Sequence, residues 1–333
     1  MKRPLMLPLV PLYAAALALR ELRLTRGGEP IRRLRNPVIS IGNLSTGGSG
    51  KTPLAITLTR LLTASGFHVD VLSRGYGRRS AVPLRVDLNG SADKYGDEPL
   101  LIARETGVPV FVAAERYDAG LLAESNSSDN ESSALIHILD DGFQHRQLHR
   151  DIDILLVNRE DWHDHLLPAG NLRETLSAVR RASALAIPSN DSEFEAELRA
   201  WGWTGPIWRL SRRMEIPQIA GPVVAFCGIA RPEQFFAGLE GGGVTIASRV
   251  PFPDHHRYTP RDIEKLIATA HSKAATSFIT TEKDLVRMAS LASTISSSLP
   301  HKTAHLTLSI EDESQVSEWL ARRLGANQAL QSL

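Results

Sequence analysis

Apolar residues fall in short blocks separated by Gly-, Pro- or Asp-rich breaks, and the period within the blocks alternates. Residues 38–41 are a β-branched run, read as a buried strand. A Gly-rich turn follows, and residues 53–64 show helical spacing of Leu, Ala and Ile. Residues 67–72, 135–139 and 152–157 read as further buried strands, the second ending in Asp140-Asp141-Gly142. Strand–helix–strand order of this kind predicts a parallel sheet with right-handed crossovers. Residues 216–222 (IPQIAGP) read as a linker, after which the alternation restarts. Strands are expected at 223–227, 277–281 and 305–310, and helices at 232–239 and from Pro260 onward, with Thr259 as cap. Trp319, Leu320 and Leu324 line a last helix. Residues 125–133 (SNSSDNESS) are a polar surface loop, and no internal repeat is present. The expected fold class is therefore α/β: a parallel-sheet lobe over 37–215 and a smaller C-terminal α/β lobe over 216–333, with a cleft between them.

Residues 1–36 stand apart from this alternation. Residues 5–19 carry no charge, yet the first 36 residues hold eight basic side chains (Lys2, Arg3, Arg20, Arg23, Arg26, Arg32, Arg33, Arg35) against Glu21 and Glu29. A spanning helix needs roughly 20 apolar residues, and a signal peptide would end in a small-residue cleavage site rather than Arg20-Glu21-Leu22-Arg23. The segment is read either as a helix packed on the body or as an interfacial anchor, with arginines on anionic headgroups. Formal net charge over the 333 residues is only +1, so overall charge selects no partner. The single cysteine, Cys227, excludes a disulfide framework and reads as a buried small hydrophobe in a reducing compartment.

The chemistry concentrates where strands end. Ser45-Thr46-Gly47-Gly48-Ser49-Gly50-Lys51-Thr52 closes as a phosphate-binding loop does. Its glycines let consecutive N–H groups turn inward on phosphate oxygens, and the following helix aims its positive end at the same anion. Lys51 would reach the β- and γ-phosphates of a nucleotide, and Thr52 would bind Mg²⁺. Asp140 ends an apolar strand, the position of a metal-holding aspartate, and Asp141 adds a second carboxylate. Asp97 and Glu98 sit in Tyr95-Gly96-Asp97-Glu98-Pro99 and offer a carboxylate to orient an acceptor hydroxyl. Asp161, His163, Asp164 and His165 cluster like a metal tract of zinc-type ligands, although their spacing matches no standard site.

Taken in order, these motifs resemble the tetraacyldisaccharide 4′-kinase family, the lipid A 4′-kinases, over nearly the whole chain. The resemblance rests on Gly42-Asn43-Leu44 leading into GGSGKTP, Ser73-Arg74-Gly75-Tyr76-Gly77, Gly96-Asp97-Glu98-Pro99 and Leu139-Asp140-Asp141-Gly142-Phe143-Gln144-His145. It continues through Pro168-Ala169-Gly170, Leu172-Arg173-Glu174, Phe252-Pro253-Asp254-His255-His256 and Thr281-Glu282-Lys283-Asp284. Asn171 departs from the PAGPLRE form associated with the family, and Ser45 stands where the general loop pattern has glycine. The resemblance implies a P-loop NTPase fold and ATP- and Mg²⁺-dependent phosphorylation of the 4′-hydroxyl of a tetraacyldisaccharide 1-phosphate, a lipid A precursor. It implies peripheral attachment to the phospholipid surface on the cytoplasmic face of a bacterial inner membrane. In the family the GDEP aspartate pairs with the FxDH histidine as a base, which are Asp97 and His255 here. Its Mg²⁺ environment maps onto Thr52, Glu98 and Asp140, and its acceptor contacts onto Asn43, Arg74, Tyr76 and Gln144.

Two other readings of the loop remain open from the residues alone. A regulatory P-loop GTPase or ATPase would act as a membrane-bound switch, but the guanine-reading Asn-Lys-x-Asp motif is replaced by Thr-Glu-Lys-Asp. A nucleic-acid ATPase could use the basic arm, but phosphate-backbone binding has no use for the apolar residues 5–19, and no nucleic-acid partner is expected.

Overall fold

The computed structural model describes residues 3–28, 30–48, 50–126 and 135–331, with side chains through 325. Lys2, Glu29, Ser49 and most of the polar loop at 125–133 lie outside the described residues. Twelve strands form one hydrogen-bonded sheet: β1 (Val38–Asn43), β2 (His68–Ser73), β3 (Leu84–Arg85), β4 (Val110–Val112), β5 (Leu135–Asp140), β6 (Ile152–Leu156), β7 (Ala184–Pro188), β8 (Ile207–Glu215), β9 (Val223–Cys227), β10 (Ile246–Pro251), β11 (Ser277–Thr281) and β12 (His301–Ile310). Their order is β10-β9-β11-β12-β8-β7-β6-β1-β5-β2-β4-β3, parallel except at β12–β8 and β3–β4. The innermost strands are buried on both faces, which is why they read as continuous apolar runs.

Strand β12 joins the two halves of the sheet. Its residues 301–304 pair with β11, and residues 305–310 pair with β8. The last helix, Glu313–Gln331, then packs Val316, Leu320 and Leu324 into the core around β1 and helix Lys51–Ala64, with Trp319 edge-on to Trp208 at 5.7 Å. Strands β9 to β11 have cores of their own on each face, including Phe226, Phe278 and Leu266 on one and Phe235, Phe236 and Leu239 on the other. The cap expected at Thr259 is a full capping box: Thr259 Oγ1 accepts from Asp262 N, and Asp262 Oδ2 accepts from Thr259 N at 2.9 Å.

The N-terminal arm is a 3₁₀ turn, Pro4–Leu9, running into a helix, Val10–Thr25. Together Pro4–Thr25 span 22 residues and, by length and composition alone, could cross a membrane. The extra length over the uncharged stretch comes from Arg20 to Thr25 continuing the helix. Of its residues only Leu24 is buried, while Leu5 and Leu12 are 93% and 72% exposed. Among the described residues its side-chain contacts with the body reach loops at the C-terminal ends of the central strands. Tyr13 Oη donates to Arg173 O at 3.0 Å, Arg20 to Gln144 O at 2.8 Å, and Glu21 pairs with Arg146.

Candidate active site

The phosphate loop leaves β1 at the centre of the sheet, beside the end of β5, where open α/β sheets place their ligands. Gly47 and Gly50 have φ of +104° and +98°, conformations that suit glycine, and Gly50 sits at the N-cap of helix Lys51–Ala64. The loop is pinned from outside: Thr46 N donates to Asn171 O at 2.8 Å, and Ser45 Oγ to Asp161 Oδ2 at 2.6 Å. The Asn171 departure keeps the carbonyl that makes this contact and adds an N–H that a proline would lack, which donates to Asp164 Oδ2 at 3.1 Å. Lys51 Nζ donates to Asn43 Oδ1 at 3.1 Å and lies 3.7 Å from Asp141.

Three carboxylates converge below the loop. Asp140 is 2% exposed, and its Oδ1 has no hydrogen-bond partner. Burial, then the charges of Glu98 and Asp141, push its carboxyl up to about 7. Glu98 accepts from Thr52 Oγ1 at 3.3 Å and from Lys283 Nζ at 2.6 Å. Burial would raise Glu98, but the Lys283 ammonium outweighs it and holds the carboxyl low. Asp141 takes both Arg173 nitrogens at 3.0 and 3.2 Å. An orphaned, buried carboxylate oxygen beside a hydroxyl and a second carboxylate is a donor set that fits a hard divalent cation.

The second constellation lies across the cleft. Asp97 opens helix Asp97–Thr106 after Gly96, whose φ of +91° and close approach to Gly75 (2.9 Å from a would-be Cβ) leave room only for glycine. Asp97 Oδ1 accepts from Glu98 N, while Oδ2 meets His255 Nδ1 at 3.0 Å and Arg287 Nε at 2.6 Å. Burial alone would raise Asp97; the His255 hydrogen bond and the Arg287 charge overcome it and hold the carboxyl well below the usual range. An ionised carboxylate only accepts, so His255 Nδ1 carries the proton and Nε2, 3.9 Å from Asp254 Oδ1, is the unprotonated ring nitrogen. The bond to Asp97 raises the proton affinity of His255, against burial. Arg287 and Lys283 are one turn apart on helix Glu282–Met288, which Thr281 caps, so the pair grips Asp97 and Glu98 together. Asp284, fully buried, fixes this helix to Gly228 N and Tyr258 Oη, both at 2.9 Å.

The carboxylates under the loop, with His255 and Lys283, line one cleft of about 870 Å³, and Asp97 and Arg287 line a smaller hollow of about 360 Å³ that shares Tyr76 and His255 with it. The chain matches the family described as tetraacyldisaccharide-1-P 4′-kinase over residues 2–325. It belongs to that family. A tetraacyldisaccharide 4′-kinase of Koribacter versatilis is 39% identical over 316 residues, covering 92% of this chain and 94% of the relative. One from Aquifex aeolicus is 38% identical over 310 residues, covering 86% and 90%. The crystal structure of LpxK from Aquifex aeolicus in complex with ATP superimposes with a TM-score of 0.75 at 33% identity, covering 97% of this chain and 99% of that one.

The family motifs account for how the residues meet. Ser45, Thr46, Gly47, Gly48, Gly50, Lys51, Thr52, Arg74, Tyr76, Glu98, Asp140, Asp141, Gln144 and His255 all border the cleft. Tyr76 is 61% exposed, its ring 5.1 Å from that of His255. Asn43 is fully buried: its side chain holds Ser45, Lys51 and Arg173 and presents no surface to the cleft. Gln144 Nε2 is spent on Asn43 O at 2.9 Å. The apparent metal tract is scaffolding. Asp161 latches Ser45, His163 pairs with Glu197 at 3.1 Å, and Asp164 accepts from the N–H of His165 and Asn171. Arg287 is the site residue that no motif contained, while Arg173 and Lys283 stood within motifs but without an assigned role. Arg287 lies one turn beyond Asp284, within reach of a reading that continued the Thr281 motif along its helix.

Proposed function

We propose that this chain is an ATP-dependent kinase that transfers the γ-phosphoryl group to the 4′-hydroxyl of a tetraacyldisaccharide 1-phosphate, giving lipid IVA in lipid A biosynthesis. The observation that carries the reading is that the phosphate loop (Gly47, Gly48, Gly50, Lys51) shares one cleft with His255, which Asp97 holds from behind at 3.0 Å, and with the Lys283–Glu98 pair. ATP is held by the loop amides and Lys51. Thr52, Glu98 and Asp140 would hold Mg²⁺, which when bound neutralises charge on the β- and γ-oxygens. The Asp97–His255 pair takes the acceptor proton. Because both Asp97 oxygens are already filled, the proton enters at His255 Nε2, and Asp97 stabilises the imidazolium that results. As it leaves, the acceptor oxygen forms its bond to phosphorus and the bond to the ADP oxygen breaks. Arg74, Tyr76 and Gln144 border the space for the sugar.

The two-lobe division at residue 215 belongs to this proposal: His255, Lys283 and Arg287 come from the second lobe and meet Asp97 and Glu98 of the first. So does attachment to the cytoplasmic face of the inner membrane. The arm's outward leucines would enter the acyl boundary while Tyr13 and Arg20 tie it to the acceptor side of the cleft. A switch GTPase or ATPase has no need of an acceptor-facing Asp–His pair. Incubation with ATP and the lipid acceptor, followed by thin-layer separation, tests the reading. Wild type yields a 4′-phosphorylated product and Lys51→Ala none. Asp97→Ala loses most turnover while binding ATP near normally. Near-normal turnover in Asp97→Ala removes the base role.

A further inference from the structure

Strand β8 ends its apolar face at the phosphate loop. Side chains alternate along a strand, so Trp208, Leu210 and Arg212 share one face. Trp208 and Leu210 are buried under the core that holds helix Lys51–Ala64. The strand runs on toward the start of that helix, and there the third position is Arg212. Its guanidinium Cζ and an Nη both lie 3.9 Å from the point where a Cβ on Gly50 would sit, and it lines the cleft. Pairing with Leu308 on β12 fixes its position in the sheet.

Among the described residues the Arg212 side chain has neither an ion pair nor a hydrogen bond. Its charged neighbour is another cation, Arg231, whose own charge is answered by Glu160 at 3.1 Å and Asp161 at 3.6 Å. Nothing comparable answers Arg212: the residue as a whole is exposed, but partial desolvation of its guanidinium at the cleft, together with the Arg231 charge, lowers its proton affinity. Of the other long cations of the cleft, Lys51 is engaged by Asn43, Lys283 by Glu98 and Arg173 by Asp141, whereas Arg74 and Arg116, near one another, have no ion pair among the described residues; Arg212 differs from these two in lying against Gly50 of the loop. A cation held against a phosphate loop without a carboxylate is a place made for an anionic ligand.

We propose that Arg212 is a phosphate-binding residue of the nucleotide site, reaching the polyphosphate from β8 to supplement the loop amides and Lys51. This rests on the kinase reading above. The test is calorimetric titration of the full chain with Mg·ATP, and with adenosine by competition, for wild type, Arg212→Gln and Arg212→Lys at several salt concentrations. Arg212→Gln should weaken ATP binding about ten- to a hundredfold and flatten its salt dependence, with adenosine unchanged. Arg212→Lys should retain part of the affinity, because charge survives without the planar fork. Arg212→Gln binding ATP within about twofold of wild type overturns the assignment, as does an equal loss for adenosine, which would mean the side chain only shapes the pocket. Thermal melts confirm that each variant is folded. If wild type itself binds no ATP and phosphorylates no acceptor, it is the kinase reading that fails; if wild type does both and Arg212→Gln matches it, only Arg212 is removed.

Discussion

Replacing Arg287 by methionine separates the charge on the Asp97–His255 pair from its geometry. The Arg287 and Asp97 side chains are each 5% exposed, and Asp284, also bound by Arg287 at 3.2 Å, is fully buried. Losing one partner of a buried ion pair costs about 3–5 kcal/mol, because the carboxylates left behind stay desolvated. That is a large share of an ordinary domain's stability, so equilibrium denaturation should show it directly. The kinetic consequence has a definite sign. The Asp97 bond raises the proton affinity of His255 and the Arg287 charge opposes it, so without Arg287 the imidazole keeps its proton to higher pH. A proton acceptor must start unprotonated, so the acid limb of the kcat/KM profile moves upward. An Arg287 Nη lies 3.5 Å from His255 Nδ1. Charges about 4 Å apart interact by at most ~4 kcal/mol at an effective dielectric near 20. With cleft water reducing this to ~1–2 kcal/mol, kcat/KM near neutrality should fall roughly five- to thirtyfold and recover at alkaline pH. Arg287→Lys keeps the charge and should leave the limb near its wild-type position, and it carries the comparison if the methionine variant does not fold. A folded Arg287→Met enzyme whose acid limb has not moved would refute the claim that this guanidinium sets the pair's proton affinity.

Other perturbations address separate parts of the molecule. His137 lies between Asp70 at 2.6 Å and Glu124 at 3.6 Å, and although burial lowers its proton affinity, those carboxylates lift it to about 9. A folded pKa above the ordinary 6.5 contributes stability that is complete below 6.5 and is lost as pH rises through 9. Urea titrations should show a loss on the order of 3 kcal/mol across that window in wild type but not in His137→Gln, and parallel curves would sink the assignment. Gly96→Ala places a methyl 2.9 Å from Gly75 Cα at a φ of +91°. It should cost roughly 2–3 kcal/mol and lower kcat while sparing ATP affinity, as read by melts and nucleotide titration. Changing Leu5, Leu9 and Leu12 together to serine should reduce partition onto anionic vesicles about a hundredfold or more in a flotation assay, since each buried leucine contributes ~1.5–3 kcal/mol; undiminished binding would place attachment elsewhere.

Much of the central sheet was legible because β1, β5, β6, β9 and β11 are buried on both faces and read as unbroken apolar runs. The start of helix Pro260–Ser272 was legible too, because its cap is local chemistry between Thr259 and Asp262. Strand β8 was not. Its sequence, IWRLSRRME, carries four charges because one face is solvated and the other ends at the cleft. Strand β12 was expected to begin at residue 305, but it starts at His301, since its first residues pair with β11, a partner that no local pattern reveals. Within the site, the phosphate loop and Asp140 announce themselves by spacing. The Asp97–His255 contact spans 158 residues, so only the family motifs joined the two in advance. Arg287 escaped because an arginine on a short helix reads as a solvated face until tertiary packing buries it.

The shared strand β12 has a practical consequence for anyone cutting this protein apart. A fragment stopped near residue 300 would lack a neighbour for both β8 and β11, exposing two rows of unsatisfied amides and carbonyls at once. It would also uncover the apolar floor that Val316, Leu320 and Leu324 close. Such a truncation should collect in inclusion bodies rather than behave as a nucleotide-binding half, so the C-terminal 33 residues, far from the loop in sequence, decide whether the loop's own sheet stays in solution.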